Sequence, residues 1–144
     1  MSKLPRVFKV VKPILVAAQL SGSYGEVGDR IYSWNPDVDY RVFPWIQIRR
    51  LGGVRHETRP TQLGLPVIEL TCRSDKGLPE TEQFYEDTLE VLYEAVRRQT
   101  QTPDGYLHSI KETQGAIQIS SEFQDSWRVQ GLIRLGVRPP RTTT

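Results

Sequence analysis

Two histidines, a single cysteine and a close pair of aspartates are the residues of this chain with the most reactive side chains to offer. His56 lies in the polar stretch VRHETRPTQ and His108 in GYLHSIKET. Neither belongs to a spacing such as H-E-x-x-H, in which two imidazoles one helical turn apart share a metal ion. Cys72 alternates with Ile68 and Leu70 in PVIELTCR, which places it on their face of a strand. There a thiol packs as a small hydrophobe instead of attacking a substrate. A lone cysteine also excludes an internal disulfide and a multi-cysteine zinc site. Asp37 and Asp39 could share a divalent cation, but such a cation wants more oxygen ligands than two carboxylates supply, and Asn35-Pro36-Asp37 reads as a turn. Ser126 and the pair Ser120-Ser121 sit in no G-x-S-x-G elbow. These residue types assemble no catalytic set and no metal or cofactor site, so the expectation is a protein that is not an enzyme.

The stretch FPWIQIRRLGG, residues 43–53, raises a different chemistry, because a strand that runs into Arg49-Arg50 and Gly52-Gly53 could cradle a phosphate. A P-loop needs G-x-x-x-x-G-K-[ST], and a dinucleotide site needs G-x-G-x-x-G opening a helix. The residues that follow the glycines here are VRHETRPTQ, which supply neither motif nor helix. What remains is a local basic surface. Arg49, Arg50, Arg55 and Arg59 lie close together, and Arg128, Arg134 and Arg138 share one side of the last strand. Arginine suits interfaces because its planar fork is weakly hydrated and bonds in pairs, whereas a solvated sheet face is the plainer reading. The net charge of +2, from 19 basic and 17 acidic side chains, gives no overall field that would argue for nucleic-acid binding.

These residues must be positioned by the elements around them. At 144 residues, 38% hydrophobic and 25% charged, the chain fits one packed domain, assigned to residues 1–138 with a flexible tail at 139–144. Val7, Val10, Val11, Ile14, Leu15 and Ala18 predict a helix over 5–20, with Pro13 either kinking it or marking its true start. Its apolar run Ile14–Ala18 is too short to span a bilayer. An aromatic loop with Tyr32, Trp34 and Tyr40 follows, with a short strand near 30–33. The first long strand alternates Ile46 and Ile48 inward with Trp45, Gln47 and Arg49 outward and stops at the glycines. A polar, mobile, hairpin-like connection over 54–65 leads to a second strand at 66–73.

Tyr85, Leu89, Leu92 and Val96 predict a long helix over 80–99, with acids at its amino end and Arg97-Arg98 at its carboxyl end, as the helix dipole favours. Strands are expected at 106–113 and 127–138, with a short extra one at 116–119. The fold class is α+β: a mostly antiparallel sheet of about four strands, with the N-terminal helix and the long helix packed on one face.

The order of these parts resembles the tail terminators, or tail-completion proteins, of long-tailed bacteriophages, most of all those of siphophages infecting actinobacteria. The stretches YRVFPWIQIRRLGG and WRVQGLIRLGVRPP carry the resemblance, which covers nearly the whole chain. It implies a structural virion protein, made in the bacterial cytoplasm, that forms a hexameric ring at the head-proximal end of the tail tube and ends tube polymerisation. It also implies partners: sister copies, the major tail tube protein, the head–tail connector or stopper, and genomic DNA passing through the channel without sequence-specific recognition. No cofactor and no membrane are implied. Interface candidates, chosen by exposure, are Trp34 and Asn35 in the aromatic loop, Arg49, Arg50, Arg55 and His56 around the glycines, and Arg128 and Arg134 on the last strand. The alternatives are another head–tail connector or stopper, or a nucleic-acid-binding module using the last-strand arginines.

Overall fold

The computed structural model describes residues 4–33, 42–119 and 126–141, without side chains at 118 and 119. Helix α1 spans Val7–Ala18 and buries Val7, Val10, Val11, Ile14 and Leu15. Pro13 lies inside this continuous helix, which therefore does not begin there. The missing amide costs one helical hydrogen bond, while each fully buried aliphatic side chain of the stripe is worth about 1.5–3 kcal/mol, so packing wins.

A two-stranded antiparallel hairpin, β1 (Ser21–Gly22) and β2 (Gly25–Glu26), follows where the sequence suggested only a turn. Its Tyr24 is buried, stacks on Phe84 with ring centroids 4.6 Å apart, and donates its hydroxyl to the Asp87 carboxylate at 2.8 Å. Strand β3 is short, Ile31–Tyr32, as expected near 30–33, but pairs in parallel with the next strand.

Strand β4 (Trp45–Arg55) and β5 (Gly64–Ser74) form a long antiparallel hairpin. Helix α2 (Leu78–Arg98) crosses over to β6 (Tyr106–Ile119) and β7 (Trp127–Arg138). The main sheet has the order β3-β4-β5-β7-β6. The architecture is α+β, with five strands instead of four and one parallel pair in an otherwise antiparallel sheet. The fifth strand was easy to undercount because two residues leave no period to read. The separate strand expected at 116–119 is instead the continuation of β6, which passes it through three register shifts against β7.

Both helices contribute to one core cluster with the sheet face that carries Ile46, Ile48, Ile68, Leu70, Cys72, Val129, Ile133 and Leu135. The expected alternation holds in most of β7 and in the first half of β5, but Leu70 to Ser74 are all buried. In the first half of β4 it does not, since Trp45, Ile46, Gln47 and Ile48 are all buried. The outward side of this half is closed by polar pairing: the Arg73 guanidinium sits 4.4 Å from the Trp45 ring centroid and donates to Gln47 Oε1 at 2.8 Å. A planar cation stacked on an indole and hydrogen-bonded beside it can be buried without leaving its charge unmet. The tail expected at 139–144 is described as far as Arg141, whose backbone N–H donates to Gln101 Oε1 at 3.0 Å and whose guanidinium stacks on Tyr106. No helix among the described residues is long and apolar enough to cross a membrane.

Candidate functional site

The candidate site is the outer half of the β4–β5 hairpin. The core ends abruptly along β4: Ile48 is 1% exposed, and every residue from Arg49 to Arg55 is exposed. Gly52-Gly53 does not stop the strand, contrary to the sequence expectation. The ladder pairs Arg50 with Ile68 and then Gly53 with Pro66, so Leu51 and Gly52 stand opposite Val67 alone. This bulge needs its glycines. Gly53 has φ +99°, and a Cβ there would lie 2.3 Å from the Leu65 carbonyl oxygen and 2.5 Å from Pro66 Cα. Pairing resumes at Val54 with Leu65 and Arg55 with Gly64, and His56 N–H closes the ladder on the Leu63 carbonyl at 3.0 Å. The connection expected over 54–65 to be hairpin-like is the end of this hairpin, partly strand, with a short turn at its tip.

Side chains here bond to their own hairpin. Arg50 Nε donates to the Gly52 carbonyl at 3.0 Å, Arg55 donates to the Pro60 carbonyl at 3.1 Å, and Arg49 donates to the Glu69 carboxylate at 3.1 Å. The Thr58 backbone N–H donates to His56 Nδ1 at 3.3 Å, so this imidazole shapes the turn. Leu51 and Val54 are 43% and 71% exposed. A projecting ribbon with several arginines and bare aliphatic side chains has the make-up of a contact surface, since interfaces favour arginine and desolvated apolar groups.

Of the residues singled out from sequence, Arg49, Arg50, Arg55 and His56 come together on this hairpin. Arg134 sits nearby, opposite Val67 in the neighbouring strand. Arg128 does not join them: it pairs with Arg73 at the far end of the sheet, six residues or ~20 Å along β7, and its Nε is buried. Trp34 and Asn35, with Asp37, Asp39 and Tyr40, lie outside the described residues, as do Ser120 and Ser121. Arg6, which no sequence signal singled out, lines a small cavity of about 170 Å³ with Arg49 and Arg50.

Among the described residues no group of three or more His, Cys, Asp or Glu could hold a metal ion. A family model described as phage tail termination protein matches residues 3–144. The chain belongs to the phage tail termination protein family. It is a structural component of the phage tail. It is also 54% identical over 145 residues to the Gene 22 protein of Mycobacterium phage D29, covering 100% of each chain. To the Gene 22 protein of Mycobacterium phage L5 it is 55% identical over 144 residues, covering 99% of each.

In this tail termination family member Cys72 sits within the core, where burial pushes its thiol up to about 12 against the opposing pull of its Thr88 hydrogen bond and the Arg73 charge. The ionised thiolate is thus disfavoured in the fold. Its contribution to stability is complete below the unfolded thiol's pKa, near 9, and is lost as the pH climbs from there towards 12. In urea titrations between pH 9 and 10 the stability should fall with a slope approaching about 1.4 kcal/mol per pH unit, and Cys72→Ala should flatten it. A thiol-specific disulfide reagent at pH 8 should modify the native chain only at the rate at which it unfolds. Rapid modification under native conditions would show that the thiol is accessible.

Proposed function

We propose that this chain caps the head-proximal end of the tail tube as a ring of identical subunits, probed first as a hexamer, and offers its other face to the head–tail connector. One domain over residues 1–138 performs this role, with the tail tube protein, the connector and sister copies as partners and the genome passing through the channel. Besides the family itself, the observation that supports the reading is the hairpin: an exposed, internally bonded arginine ribbon beside an exposed Leu51 and Val54. Such a surface is suited to other proteins of the virion more than to a small molecule. Readout of DNA by the last-strand arginines is less favoured, because Arg128 buries its Nε while Arg134 is exposed, so β7 presents no continuous basic stripe.

Purified protein should appear as a closed ring in native mass spectrometry, alone or with tail tubes, and should bind tube ends and halt their growth in negative-stain images. Arg50→Glu should leave the fold intact and reduce tube capping by about tenfold or more, the scale on which misplaced interface charge acts. A protein that binds only the isolated connector would be a stopper. One that forms no ring and leaves tube lengths unchanged is not a terminator.

A further inference from the structure

We propose that the β4–β5 hairpin of one copy docks in the groove between α1 and α2 of a second copy, joining subunits head to tail. This rests on the ring reading and names the two surfaces that would make the ring. The groove is open, about 1110 Å³, between the carboxyl end of α1 and the outward side of α2. Ile14, Ala17, Ala18 and Val91 give it apolar lining, Asp87, Glu90 and Glu94 give it acid, and Arg97 and Arg98 line it too but are both bound to Glu94. Tyr93 also lines it and is 42% exposed, one of the few large apolar side chains left bare among the described residues. Leu51 and Val54 at the bulge are two others. Among the described residues, an apolar lining without a cover and an apolar tip without a seat therefore occur together.

Their charges are opposite on balance. Around the bulge and turn, Arg49, Arg50, Arg55 and Arg59 face one acid in the same stretch, Glu57. Arg49 is held by Glu69, while Arg55 and Arg59 have no carboxylate partner among the described residues. Helix α2 carries acids at 80, 82, 86, 87, 90 and 94. Its two arginines, Arg97 and Arg98, both turn onto Glu94, which leaves Glu90 in the groove and Glu86, one turn before it and outside the lining, exposed and without a basic partner among the described residues. Since the hairpin's side chains bond within the hairpin, this complementarity is not satisfied inside one chain. Two different patches that fit each other generate a heterologous contact, which closes into a ring when the rotation per subunit allows.

The test uses two full-length variants, Arg55→Glu/Arg59→Glu on the hairpin and Glu86→Arg/Glu90→Arg on the helix, with circular dichroism to verify folding. Each alone should lower the ring fraction in native mass spectrometry by at least about tenfold, because docking would bring like charges together. Mixed in equal amounts, they should restore rings in which the two variants alternate, since each reversed surface then meets a reversed partner and each native surface a native one. Higher salt should weaken wild-type rings. If wild-type and both variants form rings equally well, or if the mixture stays as defective as its parts, this pairing of surfaces is wrong while tube capping still stands. If wild-type protein neither self-associates nor caps tubes, the ring reading fails and takes this contact with it.

Discussion

Replacing Gly131 by alanine is expected to destabilise the fold by about 3 kcal/mol, the upper end of what overpacking a filled core costs. Gly131 lies in β7 opposite Leu70, on the sheet face that the helices cover. A Cβ there would come within 1.9 Å of the Tyr85 hydroxyl and 2.9 Å of its ring carbon Cζ. Tyr85 is wholly buried in α2 and its hydroxyl has no hydrogen-bond partner among the described residues. That phenol bears an unmet desolvation cost, and burial is the main reason its pKa is raised. Tyr85→Phe should therefore stabilise the protein by about 1 kcal/mol, within the range of removing one unsatisfied buried polar group. The double variant should regain part of the Gly131→Ala loss, because the nearest clash disappears while the ring carbon stays close. Urea unfolding of all four proteins gives the coupling energy directly. A Tyr85→Phe variant less stable than wild type would mean that the hydroxyl does bond, and the proposed conflict would be gone.

Gly53→Ala should have the opposite profile: little global loss and a large loss of tube capping, about tenfold to hundredfold if local strain of 1–3 kcal/mol is relieved by undoing the bulge. Its backbone requires φ +99°, and its Cβ would meet three backbone atoms of β5 at 2.3, 2.5 and 2.7 Å. None of those can swing away as a side chain can. The residues beyond it are exposed, so the core does not depend on them. Gly52 is a matched control: its φ is +120°, but a Cβ there meets nothing within 4 Å. Gly52→Ala then reports conformational strain alone and should be milder. Hydrogen exchange at Val54 and Arg55 would follow the hairpin directly, and unchanged protection there in Gly53→Ala would refute this account.

Elements with a dense apolar pattern were readable from the chain. The limits of β7 agree with the sequence expectation, and α2 begins two residues earlier and ends one earlier than expected, because their buried faces repeat over many residues. Three features were not readable. Gly52-Gly53 looks like a terminator from composition, yet the same backbone freedom serves a bulge inside a continuing strand, and only the partner strand distinguishes the two. The outward side of early β4 looks solvated because Gln47 and Arg73 are polar, yet stacking and hydrogen bonding let both be buried. The β3 pairing is set by tertiary contact, not by local pattern. At the candidate site the hairpin arginines were found by proximity in sequence. Arg128 was grouped with them only because alternation along a strand says which side a residue faces, not how far along the sheet it stands. The α1–α2 groove was missed because acids on an exposed helix face read as ordinary solvated charge.

The borders of the sheet have a bearing on the time before any tail is assembled. One border is the two-residue β3, and the other is β6, whose ladder is broken by three register shifts. Among the described residues β3 covers only Ile46 and Gln47, so the rest of β4 and the whole of β6 are open edges. The first is broken by the Gly52-Gly53 bulge and lined with arginines and the second is broken by its shifts, and bulges and charge hinder the flat pairing on which chains zip together indiscriminately. Copies accumulating ahead of demand thus have little to polymerise through by backbone alone, and a surplus of this protein should keep in solution as discrete particles instead of growing into fibres.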